Sequence, residues 1–367
     1  MKVSNQKQGK DSAAQHYMPT MTGDYSRISD TAKAVDFKIL PAMLAYIKSV
    51  APRITRMDAD TPFVIADYGA ADGVNSSALF ENIIGQIRSI NPSLKIRLVY
   101  NDIAVRDYFD QFWTKSRLKQ MGGVEAEYIR RSFYEAFPEI KGKLHLGFSS
   151  TSLHWLNTKD VGTDFFQHPS HIQANQLSEK DRRKFVEKWK EDWTVFLRER
   201  ASELVEGGAL FMANLTNRGG DRWPASAGYN NLRDVCHELC REGRIKEEEW
   251  KAIFVPDYFA TPQEMKSLIG EDGLAQTFNL GFFEEMTVPC AYYSQFKGRL
   301  DDDQARAKLA DTLAHVVRAW SESSIKTGLA ADDKAEIDEI YQRLRDKFYH
   351  NPKGLPYEYC LTELTKR

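Results

Sequence analysis

Cysteine is scarce in this chain: Cys236, Cys240, Cys290 and Cys360 are the four in 367 residues, too few and too irregular for a disulfide framework. Cys236 and Cys240 share a helical face by spacing, but no second pair at zinc spacing accompanies them, so no metal site is expected. Runs of about 18 apolar residues are missing, and the opening MKVSNQKQGKDSAAQ lacks the apolar core of a signal sequence. The expectation is a cytoplasmic chain in a reducing compartment, with no membrane partner. An excess of one charge is missing too. Lysine plus arginine, 50, against Asp plus Glu, 52, leaves −2, with no basic stripe for a nucleic acid. These absences leave a neutral or small ligand as the expected partner.

The composition that remains, 42% hydrophobic and 28% charged, is ordinary for a globular chain able to bury a full core. Residues 1–24 read as a flexible segment and residues 25–367 as one unit. Val35, Ile39, Met43, Leu44 and Ile47 follow helical spacing across residues 30–50. Phe63-Val64-Ile65-Ala66-Asp67 is a short apolar run, Gly69 and Gly73 bracket a turn, and Asn75-Ser76-Ser77 offers caps for a helix carrying Leu79, Ile83 and Ile87. With the second strand at residues 96–100 this makes a βαβ unit.

Residues 107–118 read as helix, 124–129 and 144–148 as extended, 178–205 as helix, and 207–213 as a strand entered through a glycine turn. Further on, residues 229–241 and 261–269 read as short helices and 276–286 as a strand. Leu309, Leu313, Val316, Val317 and Trp320 mark an amphipathic helix, followed by a helix at 335–348 and a terminal strand at 359–362. The expected class is α/β: a mainly parallel, Rossmann-like sheet from residues 55–215, 275–298 and 355–367, with an α-helical cap from 25–50, 216–274 and 300–350.

In an open α/β sheet the ligand sits beyond the carboxyl ends of the strands. Gly69 and Gly73 fall there, although two turn glycines alone are the plainer explanation of that pattern. Tyr100-Asn101-Asp102 ends the second strand on the same rim, and the two oxygens of Asp102 suit the vicinal hydroxyls of a ribose. Asp102 lies 33 residues after Gly69 (102 − 69), against about 20 in the usual dinucleotide fingerprint, and the loop is not Gly-x-Gly-x-x-Gly. A ribose-containing cofactor other than a nicotinamide dinucleotide is therefore expected.

Four motifs in one order carry a family resemblance. They are Ile65-Ala66-Asp67-Tyr68-Gly69 with Gly73-Val74-Asn75; Tyr100-Asn101-Asp102-Ile103; Ser132-Phe133-Tyr134 with Phe137-Pro138; and the run Ser149-Ser150-Thr151-Ser152-Leu153-His154-Trp155-Leu156. The chain resembles the SABATH family of S-adenosylmethionine-dependent methyltransferases from about Tyr25 to its C-terminus. Weaker echoes are Val205-Glu206-Gly207-Gly208 and Val255-Pro256-Asp257-Tyr258. The resemblance implies a class I methyltransferase sheet, S-adenosyl-L-methionine as cofactor with S-adenosyl-L-homocysteine as product, a small carboxylic acid as substrate and a homodimer. It implies that Asp67, Gly69 and Asn75 line the methionine end of the cofactor, and that Asp102 and Ile103 hold its ribose and adenine. Ser132 and Phe133 close on the adenine, Ser149 and Ser150 border the sulfonium, Tyr25 and Ser29 fold over the cofactor, and His154 and Trp155 face the substrate.

Three positions depart from the family. A glutamine that binds the substrate carboxylate in several plant members falls at Ala32, an aromatic position falls at Thr151, and Ala70-Ala71-Asp72 replaces Cys-Ser-Ser in the loop. Asp72 reads as a cap for the following helix or as a partner for the sulfonium cation. A carboxylic acid is already ionised at neutral pH, so ester formation needs alignment and donors, which Trp155 and His154 supply. Two other readings stay open at this point: His154 as base for an N–H or phenolic acceptor, and a cofactor-binding homologue without turnover.

Overall fold

The short apolar runs become the centre of one seven-stranded sheet in the computed structural model, which describes residues 30–329, apart from 272, and residues 334–367. The strands are β1 (Phe63–Tyr68), β2 (Ile96–Asp102), β3 (Val124–Arg130), β4 (Leu144–Ser150), β5 (Leu204–Leu215), β6 (Phe278–Val288) and β7 (Tyr357–Lys366). Their order is β3-β2-β1-β4-β5-β7-β6. The first five pair in parallel, and β7 runs antiparallel between β5 and β6. β1 is buried along its whole length and β4 at all but Ser150, as expected of strands covered on both faces. The chain leaves β1 toward β2 on one side and returns through β4 on the other, so the crevice between their carboxyl ends is the topological switch point.

The principal helices are α1 (Asp30–Ser49), α2 (Ser77–Ile90), α3 (Arg106–Lys115), α4 (Glu179–Glu203), α5 (Ser226–Arg241), α6 (Glu247–Ala252), α7 (Pro262–Ile269), α8 (Asp303–Leu329) and α9 (Lys334–His350). α1, counted with the cap by its position in the chain, packs along the sheet and against α2. Its Tyr46 hydroxyl donates to the carbonyls of His145 (3.1 Å) and Gly207 (3.0 Å), fixing the helix over β4 and β5. α2 buries Leu79, Ile83 and Ile87, the stripe anticipated from sequence, together with Phe80 and Ile84. α5, α6, α8 and α9 pack on one another as a helical layer, joined to the sheet side through the ring contacts of Trp223, Tyr229 and Phe259.

Local chemistry explains several boundaries. Thr261 accepts from the Glu264 N–H and Glu264 returns a bond to Thr261, a capping box that starts α7 after Pro262. Ser178 caps α4 through the Asp181 N–H. The helix expected at 107–118 breaks at Ser116, whose backbone is extended and whose hydroxyl caps the next short turn. Two local expectations are corrected. Gly207-Gly208 lies inside β5, at a register shift where Leu144 pairs with Leu204 but Leu146 pairs with Ala209; the glycines form a bulge instead of an entry turn. Ser76 is the N-cap of α2 but makes no capping bond to it.

Candidate active site

The loop after β1 is held by β2. The Gly69 and Ala70 N–H groups both donate to the Asn101 carbonyl at 2.9 Å. Asp102 Oδ2 accepts from the Ala71 N–H at 2.8 Å and Oδ1 from the Ala104 N–H at 2.9 Å. The acid at the end of β2 therefore shapes the glycine loop, and each of its oxygens keeps a lone pair for a ligand. Burial raises the Asp102 carboxyl above its usual range, with the backbone bonds opposing it. Gly69 has φ 77°, and a Cβ built on it would stand 2.3 Å from the Ser152 hydroxyl oxygen. No other residue fits that close approach. Asp72 Oδ1 accepts from the Val74 N–H at 3.0 Å, so it closes the loop itself, ahead of α2.

Asp67, at the end of β1, is buried, and burial pushes its carboxyl up to about 7, moderated by the nearby Ser76 hydroxyl and reinforced by the Asp102 charge. Asn75 is half-buried, and its Oδ1 is buried without a protein partner. Ser149 donates to the Tyr68 carbonyl at 2.9 Å and ties β4 to β1. Ser150 donates to Asp36 Oδ1 at 2.7 Å. Asp36, on α1, was not among the residues read from sequence. A carboxyl on the apolar stripe of Asp36, Leu40, Met43 and Ile47 was the available signal.

On the adenine side, Ser132 accepts from the Tyr134 N–H at 3.3 Å. Phe133 packs edge-on against Tyr134 at 4.7 Å and Phe196 at 6.1 Å, while Arg200 donates to the Phe133 carbonyl. Ile103 is half-buried at the end of β2. Asp67, Gly69, Asn75, Asp102, Ile103, Ser132, Phe133, Ser149 and Ser150 all lie at or just beyond the carboxyl ends of β1 to β4. Tyr25 and Ser29 fall outside the described residues.

The run after β4 turns sharply. Thr151 has φ 56°, a strained conformation for a β-branched residue and one that clusters at functional sites. Its hydroxyl lies 3.1 Å from the buried Tyr359 hydroxyl, so it faces β7. The next residues run beside the segment that follows α6. Trp155 bridges to Asp257, the Tyr258 N–H donates to the His154 carbonyl at 2.9 Å, and the Leu156 N–H donates to the Pro256 carbonyl at 2.9 Å. The His154 ring lies 5.2 Å from Trp155 and 5.5 Å from Phe259, centroid to centroid. His154 Nδ1 is buried without a partner, and burial pulls the imidazole down to about 3. Trp155 is half-buried, and among the described residues nothing accepts its indole N–H.

Asp257 is the second residue that sequence did not single out for the site. It accepts from the Tyr229 hydroxyl and, at 2.9 Å, from Gln173 Nε2. Burial pushes it up to about 7. Trp223, Tyr229 and Phe259 are buried in one cluster against His154, whereas Tyr292 and Tyr293 are half-buried on a short helix, Ala291–Phe296.

This sheet order, with an acid closing β2 and a glycine loop closing β1, is the class I methyltransferase fold. A solved loganic acid methyltransferase with SAH superposes at a TM-score of 0.72, with 19% identity over 95% of this chain and 98% of that one. The chain belongs to the family of SAM-dependent carboxyl methyltransferases, whose model matches residues 20–361; this is the SABATH family that its motifs resemble. Its cofactor is S-adenosylmethionine, and the lone pairs of Asp102 and the partnerless Asn75 Oδ1 fit the polar groups of that molecule.

Among relatives, the chain is 28% identical to jasmonate O-methyltransferase of Arabidopsis thaliana over 57% of this chain and 62% of that one. It is 26% identical to salicylate carboxymethyltransferase of Clarkia breweri over 83% and 82%. It is also 26% identical to a 3,7-dimethylxanthine N-methyltransferase of Camellia sinensis var. assamica over 78% and 77%.

Proposed function

We propose that the protein forms the methyl ester of a small-molecule carboxylic acid. The observation that carries this reading is the state of His154. It is enclosed between Trp155 and Phe259 with its Nδ1 buried away from any partner, and burial pulls its pKa down to about 3, which makes it too weak a base to help an acceptor that must first lose a proton. A carboxylate needs none. Jasmonate and salicylate enzymes among the relatives support the same acceptor class.

When bound, the cofactor supplies an electrophilic methyl group on a sulfonium. The chain's task is alignment and exclusion of water. Asp102 takes the ribose hydroxyls with Ile103 beside the adenine, Phe133 and Ser132 take the adenine, and Asp67, Gly69 and Asn75 take the methionine end. Ser149, already bonded to Tyr68, acts by fixing the rim. Tyr25 and Ser29 close over the cofactor in this scheme. The indole N–H of Trp155 holds one oxygen of the acceptor, His154 packs behind it as a neutral ring, and Thr151 sets the turn that carries both.

Incubation with radiolabelled S-adenosylmethionine and a panel of aromatic, isoprenoid and dicarboxylic acids, set beside xanthines and phenols, tests the proposal. Base-labile methyl esters from acids alone are expected. Label on nitrogen or phenolic oxygen, or no transfer to any acceptor, would overturn it. In the productive assay Trp155→Phe should lower kcat/KM about 10-fold or more, the loss of one hydrogen bond to a charged group; an unchanged value removes Trp155 as the carboxylate donor.

A further inference from the structure

Asp36 has no part in the scheme above, yet it lies at the same rim. Its side chain is buried, with 3% of the residue exposed. One carboxyl oxygen accepts from Ser150 at 2.7 Å and the other, Oδ2, is buried without a partner. Asp36 lines a cavity of about 220 Å³ with Val74, Asn75, Ser77, Ala78 and Leu79, between α1 and the start of α2. Asn75 brings a second buried acceptor without a partner, its Oδ1.

Two residues that line one small cavity thus each carry a buried acceptor without a protein partner, which suits a ligand group rich in N–H donors. A carboxyl as one of them calls for positive charge. Asp36 also feels the charge of Asp67, and among the described residues no lysine or arginine is bonded to either. An ammonium, with three donors and one charge, satisfies both acceptors and offsets the repulsion.

We propose that this cavity seats the α-ammonium of the cofactor's methionyl arm, with Asp36 as its counter-charge and Asn75 Oδ1 as its second acceptor. This rests on the assignment of S-adenosylmethionine as cofactor and not on the choice of acceptor. Asp36 thus holds the donor substrate from the helix side of the crevice, opposite the strand-borne Asp67, and Ser150 orients its carboxyl. Burial holds the Asp36 carboxyl up to about 8, so an ammonium beside it favours the ionised form and recovers part of that cost.

The test is a two-by-two cycle read by calorimetry on the whole protein. The probes are S-adenosylhomocysteine and its desamino analogue, which lacks only the α-ammonium; the variants are wild type and the isosteric Asp36→Asn. The wild type should prefer S-adenosylhomocysteine by about 30-fold, and Asp36→Asn should cut that preference to about 3-fold or less. An equal loss for both probes would overturn the proposal. So would Asp36→Asn weakening S-adenosylmethionine while sparing S-adenosylhomocysteine, since Asp36 would then face the sulfonium. A wild type that binds neither molecule fails differently, by removing the cofactor assignment itself. Asp36→Ser carries the same cycle if the asparagine variant does not fold.

Discussion

At Gly69 the loop after β1 passes so close to Ser152 that a Cβ would sit 2.3 Å from its hydroxyl oxygen and 2.5 Å from its Cβ, and the backbone stands at φ 77°. Gly69→Ala is therefore expected to cost about 2 kcal/mol or more, from overpacking together with left-handed strain, and to abolish measurable cofactor binding. Combining it with Ser152→Gly should recover part of the stability, because the clash goes and the strain stays. Full recovery, read from urea unfolding, would mean that φ at this position is unimportant. His154 permits a second check at this scale. With its pKa pulled down to about 3 it stays neutral from pH 5 to 8, so kcat/KM should carry no histidine inflection there. An inflection near pH 6.5 that disappears in His154→Gln would return the imidazole to the role of base.

The turn after β4 works as an element because a second strand of chain is laid beside it. Trp155 has Asp257 as its bridge partner, and Asp257 is itself held by Tyr229 and Gln173. Asp257→Ala removes a buried carboxyl on which those two donors depend. The expected outcome is an acceptor KM raised about 10-fold with the Kd for S-adenosylhomocysteine unchanged, and Asp257→Asn should restore most of it. Equal damage to both ligands would mark Asp257 as a residue of general stability. Much of this element was legible beforehand: Ser149 to Leu156 stood out as a motif, and Pro262 with Thr261 foretold the start of α7. The partnership with residues 255–258 was not legible, since 104 residues separate Tyr258 from His154 (258 − 154) and no local pattern couples such distant segments. Asp36 was hidden for a related reason. Periodicity identified its helix through Val35, Ile39 and Met43, but only packing of that helix on β4 shows that its carboxyl meets Ser150.

Over the whole molecule, several carboxyls are buried at a cost that pH can read. Asp36, Asp67 and Asp257 are pushed up to about 8, 7 and 7, chiefly by burial. Unfolded, each titrates near pH 4, so the native state holds more protons between pH 4 and 8 and stability falls as pH rises through that window. The lowered histidines, His145, His154, His168 and His171, act in the opposite sense, with an effect that fades as pH rises past about 6.5. Between pH 6.5 and 8 the carboxyls outweigh the histidines and set the sign of the slope. The Tm of the ligand-free protein should drop across this interval, and Asp36→Asn should flatten the drop. A Tm that rises from pH 6.5 to 8 would contradict the burial of these acids.

The sequence alone determined most of the strands, the longer helices and the cofactor loop, because each rests on local periodicity, on turn chemistry or on residues within one βαβ unit. It pointed to the donor substrate as well, through the family resemblance that glycine loop, ribose acid and Ser-Phe-Tyr run carry as short motifs in fixed order. Tertiary structure alone decided that Asp102 shapes the loop through the Ala71 and Ala104 N–H groups, that His154 is enclosed and neutral, and that Asp36 joins the rim. Those are matters of burial and of contact between segments far apart in the chain. Solvation and distance, which fix the charge state of an acid or an imidazole, exist only once the chain is folded.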